Sequence, residues 1–345
     1  MLIYPTLKMA PIQGLTGFGG GATGNLVSGG AEEKNINLQI PGKWGSNSQS
    51  AGYGNYEGAS VSTYWANATK NGYYGNGVTN EFEESDFTRV GDGILKFSLP
   101  AATYKIYGRS GDGSGNSHWK GMAANATLTL PSATDMLLLV PNHGAGNYAG
   151  GGGLFLIAGT DYSSSSNTAL FILGGGGGGY MAGYTNTFGQ PGALSTSLSQ
   201  SRRGPSTGTN GNYDGAGGWL NSYSTEWYGG ATYQSQRVLH FVDGGRGGFT
   251  SPCSHPGGFG GGGGGCPGAG GGLQGGYPGT DTHNGGTGYG GSGSGSYHGG
   301  GGGTSYYNSS YVSSVTTTDV GSGDNTVFTS ETSGASGFFG IFTVI

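Results

Sequence analysis

The chain has 345 residues, a length that allows two or three domains. Glycine supplies 83 residues and proline 12, charged residues make up 9%, and the formal net charge at pH 7 is −5. So much glycine is typical of disordered chains, but the 12% of aromatic residues and the low charge predict a folded one. The basic residues are scattered, with only Arg202 and Arg203 adjacent, which excludes a nucleic-acid-binding stripe. Because lysine and glutamate are scarce, we expect almost no α-helix.

Residues 1–30 combine a short apolar run, broken by Pro5 and Pro11, with a glycine-rich stretch. The prolines argue against a helix, and the glycines argue against a core of its own. Such a segment is usually ordered only by docking. We predict an anchor peptide for a larger assembly; an edge strand lying on the same chain is the alternative. The predicted anchor residues are Leu2, Ile3, Tyr4, Leu7, Met9, Ile12, Leu15 and Phe18.

The first residues lack the basic and apolar regions of a secretory signal. No stretch approaches the roughly 20 apolar residues of a membrane span. We therefore expect a protein that is released by lysis or carried on a virus particle.

Residues 31–93 alternate short apolar and polar stretches between turn signals and predict a small β region. Residues 36–40 alternate with the period of a half-buried strand, and residues 61–65 predict another strand. The one acidic cluster could hydrolyse a glycan or bind a hard cation, but its alternation favours an exposed strand face or turn. The cluster consists of Glu81, Glu83, Glu84 and Asp86.

From residue 94 onwards, apolar stretches of five to seven residues recur and predict a β-sandwich. Residues 94–99 and 103–108 are predicted to pair through the connection 100–102. The last apolar stretch, 337–345, is expected to be inserted into a sheet, because an exposed one would aggregate. The remaining predicted strands are 124–130, 136–140, 154–158 and 169–173.

Residues 174–303 contain long pure glycine runs without a Gly-X-Y period, which excludes collagen. The runs predict a bundle of polyglycine II helices, which have about three residues per turn like polyproline II. Glycine has no Cβ, so its N–H and C=O groups can pair with neighbouring helices on all sides, as buried backbone requires. Flexible glycine linkers are the alternative, but linkers usually mix glycine with serine.

Several features, taken in chain order, resemble a known module. They are the strands, the apolar run leading into glycines at Phe171–Tyr180, then Arg246-Gly247-Gly248 and the glycine-rich stretch Pro256–Cys266. The chain is similar to the glycine-rich domain of the anaplastic lymphoma kinase and leukocyte tyrosine kinase ectodomains, over roughly residues 94–345. The resemblance implies a tumour-necrosis-factor-like β-sandwich with an inserted polyglycine II bundle. It also implies a disulfide between Cys253 and Cys266. A zinc site that adds His255 and His283 fits no standard spacing.

The chain has no kinase region, and the same module occurs in phage tail-fibre proteins. The resemblance therefore implies a non-enzymatic fibre or adhesin subunit on the virion surface, without a cofactor. Residues 1–30 would bind other virion proteins, and the subunits would form a homo-oligomer, with a trimer favoured. A secreted or cell-surface glycine-rich ligand-binding protein is the alternative, and a glycan-degrading fibre enzyme is a third class.

Aromatic residues set among serine, threonine, asparagine and glycine have the composition of binding loops. A host-surface glycan or an outer-membrane protein is the expected partner. The alternative is that these rings form a hydrophobic shell around the glycine bundle. The candidates are Tyr213, Trp219, Tyr223, Trp227, Tyr228, Tyr233, Tyr306, Tyr307 and Tyr311.

Overall fold

The fold is given by a computed structural model of the chain. It describes residues 36–39, 58, 60–62, 65, 82–114, 120–146, 149–179, 194–198, 216–220, 238–248, 256–264, 270–273, 275, 300–318 and 337–343.

The described residues form two β-sheets. The first is five-stranded, in the order β1-β12-β4-β5-β11, and the second is seven-stranded, in the order β2-β3-β6-β7-β8-β10-β9. Neighbouring strands are antiparallel except β9 and β10. The strands are β1 (Ile36–Gln39), β2 (Thr88–Val90), β3 (Ile94–Leu99), β4 (Ala102–Arg109), β5 (Ala123–Leu130), β6 (Thr134–Leu139), β7 (Leu154–Ala158), β8 (Thr168–Leu173), β9 (Leu194–Ser195), β10 (Ser305–Tyr307), β11 (Val312–Thr318) and β12 (Phe338–Thr343). Short 3-10 helices span Glu84–Asp86 and Phe241–Asp243.

The two sheets pack face to face, which confirms the predicted all-β sandwich with almost no α-helix. The five-stranded sheet alternates buried and polar residues, as in Tyr104, Lys105 and Ile106, because only one of its faces lies on this core. The C-terminal strand β12 lies between β1 and β4, as predicted for an inserted strand.

Two predictions about the strands are wrong. β3 and β4 do not pair with each other: β3 pairs with β2 and β6, while β4 pairs with β5 and β12. The chain crosses from one sheet to the other at Pro100 and Ala101, so the two strands face each other across the core. Residues Val61, Ser62 and Trp65 have helical backbone rather than the predicted strand. The predicted boundary at 93/94 lies in the turn between β2 and β3, which pair with each other.

The central strands β6, β7 and β8 of the seven-stranded sheet are buried on both faces over most of their length. In β6, Met136 and Leu138 point into the sandwich core, whereas Leu137 and Leu139 belong to a second core on the opposite face. Glycine-rich segments cover this second core with a few large side chains. Those side chains are Trp219, Phe241, Phe259 and Leu273.

Five strands continue directly into stretches without strand or helix structure, here called the glycine tracts. These are 110–114 after β4, 140–146 after β6, 149–153 before β7, 174–179 after β8 and 300–304 before β10. Two further tracts, 256–264 and 270–273, lie among them.

Hydrogen bonds between the tracts recur every third residue. The N–H groups of residues 111 and 114 donate to the carbonyls of 152 and 149, and those of 176 and 179 donate to the carbonyls of 111 and 114. The pairs 150–263 and 153–260 follow the same step, as do 300–178 and 303–175. The N–H groups of the residues between these pairs donate to other tracts. For example, the N–H of Gly175 donates to Gly271 O in the tract 270–273. A three-residue step with partners in several directions is the pattern expected of polyglycine II helices.

Candidate binding surface at the outer end of the glycine tracts

The outer ends of the glycine tracts meet in one layer remote from the strands. The N–H of Gly179 donates to Ser114 O (3.0 Å), that of Ser114 to Ala149 O (2.8 Å), and that of Gly300 to Gly178 O (3.0 Å). We call the set of Ser114, Ala145, Ala149, Gly179, Pro256 and Gly300 the outer layer; Ala145 and Pro256 join it through an N–H···O bond of 2.9 Å.

Ser114 ties this layer together. Its hydroxyl Oγ accepts the Ala149 N–H at 2.8 Å and lies 3.2 Å from the carbonyl oxygens of Ala145 and Ala149. Its side chain is 6% exposed and therefore buried between the tracts. One serine therefore fixes the relative position of three tracts.

The inner ends of the tracts are fixed by buried polar side chains. Arg109, at the end of β4, donates to both carboxylate oxygens of Asp112 at 2.8 Å, and both side chains are almost fully buried. Asp112 also accepts the N–H of Gly121 at 2.8 Å. The Ser110 hydroxyl donates to the carbonyl oxygen of Gly174, and the N–H of Gly174 donates to Ser305 Oγ at 2.8 Å. Because both ends are pinned, the tracts form a rigid support.

Five connecting segments begin or end at the outer layer or one residue from it. They are 115–119, 147–148, 180–193, 249–255 and 276–299, and all lie outside the described residues. In sequence they are rich in tyrosine, histidine, serine, threonine and asparagine, the composition of binding loops. Sequence reasoning overlooked their aromatic residues, although each flanks a glycine tract. They include Trp119, Tyr148, Tyr180, Tyr184, Tyr277, Tyr289 and Tyr297.

Two of the predicted host-binding residues lie in the core instead of on the surface. Trp219 is 5% exposed and Tyr306 is 3% exposed, and both pack in the second core. We therefore remove them from the candidate surface, because both rings pack against residues of the seven-stranded sheet. Tyr307 and Tyr311 are partly buried against the sandwich core.

The other predicted site residues lie outside the described residues. They are the anchor residues within 1–30, Cys253 and Cys266, and the aromatic residues Tyr213, Tyr223, Trp227, Tyr228 and Tyr233.

The described part of the acidic cluster forms an exposed turn. Glu83 caps the 3-10 helix Glu84–Asp86, and its N–H donates to Asp86 Oδ2 at 2.8 Å. All three carboxylates are exposed, in agreement with the turn interpretation. Glu81 lies outside the described residues.

Shifted pKa values in the described residues follow from burial and local capping. Burial raises the pKa of Tyr104 to about 12, and its hydroxyl donates to Pro100 O at 2.8 Å. Burial also raises the pKa of Tyr306. The backbone N–H and then the hydroxyl of Ser163 hydrogen-bond to Asp161 and lower the pKa of its carboxyl group.

Within the described ranges, no three His, Cys, Asp or Glu side chains are grouped as a metal site would require. None of the helices in that part of the chain is long and apolar enough to cross a membrane.

Comparison of the sequence with the known protein families finds no match, and no curated protein matches it either. The resemblance to the receptor-kinase glycine-rich domain therefore stays a prediction.

Proposed function

We propose that this chain is a non-enzymatic fibre or adhesin subunit of a phage virion. Residues 1–30 anchor it to other virion proteins, and the glycine-rich part attaches to a glycan or protein on the host surface. The subunits assemble as a homo-oligomer, most simply a trimer.

The outer layer carries this proposal. Hydrogen bonds on the three-residue step hold the tracts against each other, and strands fix the inner ends of five of them. Because the tracts are already ordered, they lose little conformational entropy when the connecting segments bind a partner. A smaller entropy loss favours affinity. The segments that begin or end there have the tyrosine-rich, hydroxyl-rich composition of adaptable binding loops.

Labelling of intact particles tests the location. An antibody raised against residues 94–345 should decorate purified phage particles in electron micrographs, and deletion of residues 1–30 should leave the protein unbound to them. Unlabelled particles together with free protein in the medium would instead support the alternative, a secreted ligand-binding protein.

Loop replacement tests the binding surface. We expect that replacing residues 180–193 with a Gly/Ser segment of equal length lowers binding of the labelled protein to host cells at least tenfold. Replacement of residues 163–166 is the matched control, because they lie in the loop between β7 and β8, at the opposite end of these strands from the glycine tracts. Equal binding by the two variants would contradict the proposed surface. Periodate treatment of the cells would abolish binding to a glycan, and protease treatment would abolish binding to a protein.

A further inference from the structure

His240 accepts a hydrogen bond from a buried backbone N–H in the glycine-rich segments that cover the second core. The N–H of Gly218 donates to His240 Nδ1 at 2.9 Å. Gly218 is buried, whereas His240 is partly exposed, so a proton can reach the imidazole from solvent.

The other hydrogen bonds of this segment are made by backbone. Gly217 N–H donates to Gly261 O at 2.7 Å and Trp219 N–H donates to Leu273 O at 3.2 Å. Of the three acceptors that bind the successive N–H groups of residues 217–219, the imidazole of His240 is therefore the one that can be protonated. The side chain of Trp219, which closes the second core, follows directly on Gly218.

We propose that His240 is a pH-sensitive contact that holds residues 216–220 on the seven-stranded sheet at neutral pH and releases them in acid. Nδ1 accepts a hydrogen bond only in the neutral imidazole, because both ring nitrogens are donors once the ring is protonated. Protonation leaves the buried Gly218 N–H without its acceptor, and a buried donor without a partner is unfavourable. The released form thus binds the proton more readily than the held form, so stability of this segment is lost as the pH falls.

The described charged residues closest to His240 in the chain are Asp243 and Arg246. Asp243 lies on the same segment, and Arg246 pairs with Asp92 of the β2–β3 turn at 2.9 Å. Tyr162 of the β7–β8 loop also packs on this face. Residues 216–220 and 256–264 carry no titratable side chain.

Hydrogen exchange measured by mass spectrometry on the full chain tests this contact. After correction for the intrinsic exchange rate, protection of a peptide covering residues 216–220 should fall about tenfold between pH 7.5 and pH 5. A peptide from β8 serves as the internal reference and should keep its protection.

Two variants separate titration of His240 from general acid sensitivity. His240→Asn offers a carbonyl oxygen close to the position of Nδ1 and should keep residues 216–220 protected at both pH values. His240→Phe removes the acceptor and should leave them poorly protected at both. The proposal is overturned if the wild-type protection does not change with pH, or if His240→Asn loses protection in acid as the wild type does.

Discussion

At Gly152 two glycine tracts come so close that no side chain fits between them. A Cβ at this position would overlap the carbonyl oxygen of Phe259, which is backbone and cannot rotate away. We expect Gly152→Ala to destabilise the protein by about 3 kcal/mol, because the tracts must separate. Thermal or denaturant unfolding gives the measurement.

Gly159 provides the matched control for this prediction. A Cβ there would meet the side-chain amide of Asn167, which can move, so Gly159→Ala should cost about 1 kcal/mol or less. If the two variants were equally stable, close backbone packing of the tracts would be refuted.

We expect the buried phenol of Tyr104 to make the folded protein less stable in alkali. Its phenol has a pKa of about 12 in the folded chain against an ordinary value of 10.0, so folding favours the neutral form. The stability gained in this way is complete below pH 10 and is lost as the pH rises towards 12. Tyr104→Phe lacks the ionisable group but also loses the hydrogen bond to Pro100 O, which contributes about 1 kcal/mol. At pH 8 the wild type should therefore be more stable than Tyr104→Phe. The difference between their urea midpoints should be smaller at pH 11.5. A difference that stays constant between these pH values would contradict this expectation.

The burial of Trp219 and Tyr306 could not be predicted from their own neighbours in sequence. Their surroundings of serine, asparagine and glycine are equally typical of exposed binding loops. The informative signal lies elsewhere, in the unbroken apolar runs at 136–140, 154–158 and 169–173. Strands of this kind are buried on both faces, so a sheet built from them needs a second layer of large side chains.

Among the elements, the junction between β4 and its glycine tract depends on the buried pair of Arg109 and Asp112. Removing one partner of such a pair leaves a buried charge uncompensated, which typically costs 3–5 kcal/mol. We expect Asp112→Ala to destabilise the protein by roughly this amount in denaturant unfolding.

The pair of Asp92 and Arg246 is the comparison for that junction. Its side chains are 22% and 25% exposed, so solvent screens the pair and Asp92→Ala should cost about 1 kcal/mol or less. An effect of Asp112→Ala no larger than that of Asp92→Ala would argue against a structural role for the buried pair.

Most of the strands are predictable from the sequence, but their pairing is less so. The sequence predicts β6, β7, β8 and β12 near their observed bounds because these stretches are strongly apolar, and β5 because its residues alternate. β11 was missed because it is an exposed edge strand, rich in serine and threonine and interrupted by a bulge at Ser314. β3 and β4 look like a hairpin because alternation defines a strand's faces but not the sheet that it joins.

For the whole molecule, the continuity of five strands with five glycine tracts predicts a single unfolding transition. The strands cannot unfold without releasing the inner ends of the glycine tracts, and the tracts cannot unfold without releasing the ends of the strands. Hydrogen exchange in increasing urea should give one midpoint for peptides 168–173 and 256–264. An earlier midpoint for 256–264 would mean that the glycine tracts unfold as a separate unit.

The three-residue step of the tracts also restricts how such a sequence can change over time. Insertion or deletion of one glycine within a tract rotates every later N–H group by about a third of a turn, away from its partner. A change of three residues restores the direction and alters only the length. Homologous chains should therefore differ in tract length by multiples of three, so that the distance from the strands to the outer layer varies in steps of about 9 Å.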